Sequence, residues 1–556
     1  MSSGNRIMVI GLDAASLDII EPMVEQGALP NLAGVFKIGS RGKLTSTYPA
    51  LTPPAWTTLL TGKNPGKHGV FDFYSKPYDP TAVSLTSYNS IQCATLWENL
   101  AHTDLKFGIV NYPFTYPPPD VNGFLISGID TPNEEVSYSY PRDLVSELRS
   151  HGIDYRINLV DGDSSPKELD QLLEKMFQIE KVRKDAMLYL IRNKPWDVFI
   201  GVFMLLDRVQ HLFWHLHDSE CPSEQQGVKN PLDGVQKAYK LIDGFIGEIL
   251  SALDEKTYVV IASDHGFAKR EQIFLTNAWL RKEKLLAVNE FNLFGFLRNP
   301  RFHEVQKPGS VILSRLGLSP LRKILPESIL ERRYRVRVPL LRSSVEAVDW
   351  SKTKAYSSAY GIYVNLKGRT PYGIVSPGRE YDDIREQILK GLSEFPDPIT
   401  GEKPILAGMK KEDVYNGPYV DIAPDVVFDF LKCKPVALHA YRFSRILVPK
   451  KRFGTHHQQG VLCLTGCGIK PNYQITHSNI ADVTPTLFYL LGEAIPNDFD
   501  GKVLTDIFEE EYVKNHPPTT RNPLEIDLIR GKHDETYTPE ESSTIADRLR
   551  NLGYLE

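Results

Sequence analysis

Three features of this 556-residue chain predict an α/β fold with a largely parallel central sheet. Short, nearly uncharged, β-branched runs recur, among them Arg6 to Leu12, Trp196 to Leu206 and Tyr258 to Ala262. A strand covered on both faces reads as such a continuous apolar run. Segments with apolar residues three and four apart lie between the runs, which is the spacing of helices that cover a sheet. Each of the three runs is followed within two residues by an aspartate: Asp13, Asp207 or Asp264. Ligands in open α/β sheets collect at the carboxyl ends of strands.

The length suits one large α/β domain with insertions, or several smaller ones. Sixty-four Lys plus Arg against 69 Asp plus Glu give a net charge of -5, so no global field favours a polyanion and wrapping of nucleic acid is excluded. Five sparse cysteines, mostly inside apolar stretches, predict a reducing compartment without a disulfide framework. The chain enters Ile7 to Leu12 almost at once, without a signal-peptide core. No stretch reaches the roughly 18 apolar residues of a membrane helix, and a cytoplasmic location is expected.

Taken in order, Asp13 ends the first strand, and Leu17, Ile20 and Val24 then fall on one helical face. Thr52 precedes Pro53 and Pro54 and an apolar helical run. Its hydroxyl is therefore expected at a helix N-terminus, where the dipole and free backbone N–H groups favour an anion. Gly62 to His68 lacks the spacing and the Ser/Thr of a phosphate loop. Phe107 to Val110 reads as a strand leading into the proline-rich loop from Asn111 to Pro119, where Asn111 either shapes a turn or donates to a phosphate oxygen. Ser165 to Arg192 predicts a long amphipathic helix. Asp207 and His211, four apart at a helix start, share a face that can bind one metal; His215 continues that face and His217 lies nearby, so the segment alone does not select its histidine. Asp264 and His265 offer one hard oxygen and one imidazole nitrogen, a set that suits Zn²⁺ and, less well, Mn²⁺.

Residues 286–345 break the alternation. Between Arg301 and Arg342 ten Lys/Arg stand against three Glu, an excess of seven positive charges mixed with apolar runs. Two readings follow: a basic lid that gathers an anionic substrate or touches anionic lipid, or a solvated peripheral subdomain. Alternation resumes at Lys354, with a helix predicted over Tyr381 to Phe395. Gly454 to Gly460 then holds a His456-His457 pair, read as a Gly-bounded loop before a strand that contains Cys463 and Cys467 as packing residues. Ile480 to Gly492 reads as a closing helix. Thr538 to Glu541 forms a capping box ahead of Ile545, Leu549 and Leu552 on one face. The expected organisation is a catalytic core in two parts, 1–285 and 346–510, an inserted cap at 286–345, and a C-terminal tail at 511–556.

Gly11-Leu-Asp13, Leu51-Thr-Pro-Pro54 with Leu60-Thr-Gly62 and His68-Gly69, Asp207-x-x-x-His211, Ser263-Asp-His-Gly266 and Gly454-Thr-His456 occur in that order along the chain. In this series the chain resembles the alkaline phosphatase superfamily, and within it the type I phosphodiesterase/nucleotide pyrophosphatase family. The resemblance implies an alkaline-phosphatase-like α/β/α sandwich with an inserted cap. It implies one Zn²⁺ held by Asp13, Thr52, Asp264 and His265, and a second by Asp207, His211 and His456, with Mn²⁺ as the alternative metal. Here the resemblance selects His456 over His457. The chain departs from the family in Ala55, where nucleotide pyrophosphatases usually carry Asn three residues after the nucleophilic Thr. Phosphate recognition must then come from elsewhere, with Asn111 as the candidate.

Two divalent ions can hold the attacking and leaving oxygens of an in-line displacement, and a metal-activated Thr52 needs no histidine base. The expected activity is hydrolysis of phosphodiester or pyrophosphate bonds in a small phosphate-ester or nucleotide-like substrate, through a covalent phospho-threonine. A phosphoryl transferase, phosphomutase or phosphomonoesterase on the same site is the alternative within the fold. A non-catalytic protein docking on anionic membranes through 301–342 is the alternative outside it. The Cys/Ser-x-Pro-x-Arg site of a sulfatase is absent around Thr52.

Overall fold

The computed structural model describes residues 5–76, 78–79, 84–157, 169–217, 234–289, 348–358, 361–396, 401, 403, 405–430, 433–436, 446–525, 528, 530 and 536–551. The basic stretch 301–342 and Leu552 lie outside them, as do the side chains of His215 and His217.

The strands in chain order are β1 (Ile7–Leu12), β2 (Ser40–Thr45), β3 (Phe107–Tyr112), β4 (Gly123–Ser127), β5 (Ser139–Tyr140), β6 (Val198–Phe203), β7 (Tyr258–Ala262), β8 (Gly266–Leu275), β9 (Ala355–Ser358), β10 (Gly361–Val364), β11 (Ile405–Lys410), β12 (Val426–Phe430), β13 (Cys433–Val436), β14 (Leu447–His457), β15 (Gln459–Thr465) and β16 (Tyr473–Ile475). The main helices up to β8 are α1 (Leu17–Glu25), α2 (Pro30–Ile38), α3 (Thr52–Thr61), α4 (Pro65–His68), α5 (Leu96–Asn99), α6 (Leu144–Ser150), α7 (Leu169–Asn193), α8 (Leu205–His217) and α9 (Gly234–Leu250).

Nine strands form one sheet in the order β16-β2-β15-β7-β1-β6-β3-β4-β5. Its centre is parallel: β1 pairs with both β6 and β7, and β3 with both β6 and β4. Strand β15 runs antiparallel between β7 and β2. The pleat sends alternate residues to opposite faces. Ile7 and Val9 of β1 accordingly join a core with residues of α3, α5 and the helix Val483–Leu491, whereas Met8, Ile10 and Leu12 join a second core with α1, α2 and α6 to α9. This is a helix/sheet/helix sandwich, and all six residues of β1 are buried, which is why its sequence is apolar without alternation.

Beside the sandwich stand two sheets of four and three strands, and a two-stranded pair of Ile495–Pro496 with Thr520–Arg521. Strands β11-β12-β10-β9 form one with the helix Arg379–Glu394, and β13-β8-β14 form the other. Strand β8 leaves the sandwich at the end of β7, and β14 returns to it at the start of β15, so everything between residues 276 and 446 is inserted between neighbouring strands. This excursion corrects the reading of Gly454 to Gly460 as a loop: Gly454 to His457 are the last residues of β14, paired with Gly266 to Lys269. The pair of polar histidines masked a strand whose partner lies nearly two hundred residues upstream. A second correction concerns Cys467, which is exposed beyond the end of β15, whereas Cys463 is buried within it.

The helix expected over Ser165 to Arg192 is described from Leu169 to Asn193, and that over Tyr381 to Phe395 from Arg379 to Glu394. The tail capping box is present, with Thr538 N–H donating to Glu541 Oε2 at 2.8 Å and Glu541 N–H to Thr538 Oγ1 at 3.2 Å. Ile545 and Leu549 of that last helix enter the same core as α3. Among the described residues no helix is long and apolar enough to cross a membrane.

The departure of β8 depends on close backbone contact. A Cβ on Gly266 would lie 2.0 Å from the carbonyl oxygen of Gln459. Gly266→Ala is expected to cost about 3 kcal/mol or more by overpacking. Gly34→Ala, in α2 with nothing near its Cβ position, should gain roughly 0.5–1 kcal/mol of helix propensity. Urea midpoints of the two variants measure the contrast, and equal shifts would contradict the packing argument.

Candidate active site

The carboxyl ends of β1, β6 and β7 deliver three buried carboxylates to one place. Asp13 follows β1 directly, Asp264 follows β7 after Ser263, and Asp207 sits in the first turn of α8 just past β6. Ala14, at φ 60°, and Asn111, at φ 59°, occupy left-handed conformations at the ends of their strands. Non-glycine residues take that conformation only where surrounding contacts hold them. At Ala14 the turn aims a backbone N–H at Asp264 Oδ1, 3.2 Å away.

The seven residues proposed as ligands all converge. His265 Nε2 lies 3.2 Å from Asp264 Oδ2, 3.9 Å from Asp13 Oδ1 and 3.4 Å from Thr52 Oγ1. Asp207 Oδ1 lies 3.4 Å from His211 Nε2 and 3.2 Å from His456 Nε2. The Nε2 atoms of His211 and His456 face each other at 2.9 Å, a gap that a proton or a cation must bridge. Two sets of donor atoms lie within 4.8 Å of one another, Asp13 with Asp264 and His265, and Asp207 with His265 and His456. His265 belongs to both. It stacks on His456 with ring centroids 3.9 Å apart, because the β8/β14 register sets His456 opposite Phe267.

Backbone carbonyls orient two of the imidazoles. His265 Nδ1–H donates to Gly266 O at 3.1 Å, and His456 Nδ1–H to Ala50 O at 3.1 Å. A proton held on Nδ1 leaves the Nε2 lone pair facing the centre, which is the usual outer-shell arrangement of a metal-binding histidine.

The electrostatics favour a bound cation. Asp13, Asp207 and Asp264 have no solvent exposure. Asp13 Oδ1, both oxygens of Asp207 and Asp264 Oδ2 accept no hydrogen bond. Burial, and then the charges of Asp264 and Asp207, push the Asp13 carboxyl well above its ordinary range. Burial is also the main cause at Asp264, with Asp207 adding to it. Burial acts in the same sense on Asp207, but the His211 and His456 imidazoles outweigh it and hold that carboxyl low. Burial, followed by His456, keeps His265 neutral. Unpaired buried carboxylates each cost several kcal/mol. Orphaned oxygens with imidazole lone pairs beside them fit divalent ions bound by mixed N and O ligands.

Thr52 is the first residue of α3, as expected, and is fully buried. The free N–H groups expected there are scarcer than a helix start normally provides: Pro53 and Pro54 have none, and Ala55 N–H is spent on Leu51 O at 3.0 Å. Asn111 is the fifth residue of β3 rather than part of the proline-rich loop, and its Nδ2 donates to Val202 O at 2.8 Å. Three contributors carried no signal in the sequence. Trp56 Nε1–H donates to Asp13 Oδ2 at 3.2 Å, Gln210 Nε2–H donates to Ala14 O at 2.9 Å, and Arg208 is buried beside Asp207.

Fold and site together define an α/β protein with a buried, two-part cluster of carboxylates and imidazoles that could hold metal ions at the ends of its parallel strands. The chain belongs to the type I phosphodiesterase/nucleotide pyrophosphatase family, whose model matches residues 7–427. The family is metal-dependent. A segment of 74 residues is 32% identical to GPI ethanolamine phosphate transferase 3 of Eremothecium gossypii, covering 13% of this chain and 6% of that protein's length. Among solved structures, murine ectonucleotide pyrophosphatase/phosphodiesterase 5, an inactive form in complex with AMP, aligns at 12% identity and TM-score 0.47 over 91% of this chain and 100% of that one. Phosphonoacetate hydrolase of Sinorhizobium meliloti 1021, in complex with phosphonoacetate, aligns at 12% identity and TM-score 0.49 over 87% and 95% of the two chains.

His68, from the family series, supports α3 from behind. Its Nδ1 accepts Val70 N–H at 3.1 Å, and its Nε2 lies 2.9 Å from Thr58 Oγ1. Burial lowers its pKa to about 3. The folded protein thus holds this imidazole neutral while the unfolded chain titrates near 6.5, so its contribution to stability is complete above about pH 6.5 and is lost as pH falls toward 3. Urea unfolding of the native protein should therefore decline with falling pH more steeply than that of His68→Gln, by about 1.4 kcal/mol per pH unit at most. Parallel profiles would exclude a neutral buried His68.

Proposed function

We propose that this protein hydrolyses phosphodiester or pyrophosphate bonds of a small phosphate-ester or nucleotide-like substrate, with Thr52 as nucleophile. The supporting observation is the convergence of Thr52 Oγ1 and His265 Nε2, 3.4 Å apart, on a cluster of buried carboxyl groups with unpartnered oxygens. Asp13, Thr52, Asp264 and His265 would hold one divalent ion and Asp207, His211 and His456 the other. Zinc is the metal best suited to that donor set. Bound there, such ions lower the pKa of a coordinated hydroxyl and neutralise charge on the attacking and leaving oxygens.

The chain's own residues do the rest. The N-terminal position of Thr52 on α3 fixes its hydroxyl at the rim of the carboxylate cluster, and burial excludes bulk water from it. Deprotonated Thr52 Oγ1 attacks phosphorus, the bond from phosphorus to the leaving oxygen breaks, and a phospho-threonine results. Water then cleaves that ester and regenerates the threonine. With Nδ1–H committed to backbone carbonyls, His265 and His456 keep their rings fixed through both steps.

Thr52→Ala is expected to keep the fold and bind metal, while turnover of bis-p-nitrophenyl phosphate falls by about 10³-fold or more. Elemental analysis and steady-state kinetics read the two quantities. Retained turnover would remove Thr52 as the nucleophile. Chelation should abolish hydrolysis by the native protein, and restored zinc should return it. Activity that survives complete removal of metal would refute the reading as a whole.

A further inference from the structure

Arg208 follows Asp207 on α8 and is 2% exposed. Its Nε and Nη2 atoms are buried and have no hydrogen-bond partner. Two buried guanidinium nitrogens without an acceptor are costly, and the nearby buried ion pair does not relieve them. Glu180 spends Oε2 on Arg183 and Oε1 on Met204 N–H at 2.9 Å. Arg208 therefore reaches the interior with donors to spare.

Its direction follows from helix geometry. At about 100° per residue, His211 lies about 40° from Asp207 around α8, Gln210 about 60° to one side and Arg208 about 100° to the other. Gln210 reaches Ala14 O at the end of β1. Strand β6, from which α8 starts, has β1 on one side and β3 on the other. Arg208 thus flanks the Asp207–His211 face on the side of β3, near whose end Asn111 stands, and its charge is felt both at buried Tyr155 and at Asp13.

That flank needs a donor. The start of α3 offers phosphoryl oxygens little beyond Thr52's own N–H, since Pro53 and Pro54 lack the group and Ala55 has an alkyl side chain and a committed N–H. We propose that Arg208 is the substrate-binding residue that fills this role, its guanidinium donating to a non-bridging oxygen of the phosphoryl group attacked by Thr52. The inference rests on the reaction proposed above. An arginine fork matches phosphate oxygens with two parallel N–H groups, which a lysine cannot reproduce.

The test uses the full-length, zinc-loaded protein with inorganic phosphate as the probe, followed by calorimetry, alongside hydrolysis of bis-p-nitrophenyl phosphate. Arg208→Gln should leave metal content unchanged, weaken phosphate binding by about 10- to 100-fold and lower kcat/KM at least as much, the range of a hydrogen bond to a charged group. Arg208→Lys should recover part of the phosphate affinity and little of the turnover. A native protein that hydrolyses the diester, with an Arg208→Gln variant that binds phosphate equally well, would overturn the role of Arg208 and leave the proposed reaction standing. Phosphate binding that depends on Arg208 in a native protein without hydrolytic activity would support Arg208 and sink the reaction. Loss of metal in both variants would show that the residue balances the carboxylates instead, and a native protein that binds no phosphate would overturn the role of Arg208, with diester hydrolysis deciding the reaction separately.

Discussion

Asp13, Asp207 and Asp264 are brought by three adjacent parallel strands to one buried locus that water does not reach. Repulsion and desolvation there oppose the fold, and no lysine or arginine forms an ion pair with any of the three among the described residues. The surrounding structure can be understood as the means of holding this cluster together until positive charge is supplied. Trp56 and the Ala14 amide each take one oxygen. The imidazoles of His211, His265 and His456 face others. The oxygens left over are the functional ones, because a site saturated with hydrogen bonds would have nothing to offer a metal or a substrate.

The β8/β14 ribbon is the device that completes the cluster. Asp264 and His265 stand where the chain leaves the sandwich, and His456 stands where it returns, so antiparallel pairing makes neighbours of residues distant in sequence. The segment between them also braces the nucleophile from the other side. Tyr415 Oη–H donates to Tyr48 O at 2.5 Å, and Asn64 Nδ2–H to Asn416 O at 2.9 Å. These contacts pin the stretches on either side of α3, the helix that carries Thr52. Because both ends of the inserted region abut ligands, its packing and the geometry of the site are mechanically linked.

The C-terminal segment performs a similar service for the loop beyond β3. Asp130 accepts the backbone N–H groups of Phe114 and Tyr116 at 2.9 and 2.8 Å. Tyr537 in turn stacks on Tyr116 and donates its hydroxyl to Asp130 O. Arg548 donates to the carbonyls of Thr131 and Pro132. A loop rich in proline has few amides of its own with which to hold itself, so its order comes from side chains elsewhere. Asn111, in β3 just before that loop, inherits the order.

The sequence by itself determined the parallel core and most of the site. Strands buried on both faces must be apolar throughout, and their carboxyl ends are where polar residues can re-emerge, so Asp13, Asp207 and Asp264 announced themselves by position. The i, i+4 spacing of Asp207 and His211 and the prolines after Thr52 are likewise local signals. Local rules failed where the partner was remote. Strand β14 was legible only as a polar, Gly-bounded segment because its pairing with β8 is not encoded in its own period. Selecting His456 from the His456-His457 pair needed family resemblance, and the register beside Phe267 shows its imidazole joining the cluster. Pro53 and Pro54 were visible in the sequence, but the shortage of amides they leave at Thr52 became apparent only once α3 was seen to begin at that residue. That Arg208 Nε and Nη2 find no partner was decided by tertiary structure alone, because whether a buried donor finds an acceptor depends on which neighbours have already spent theirs.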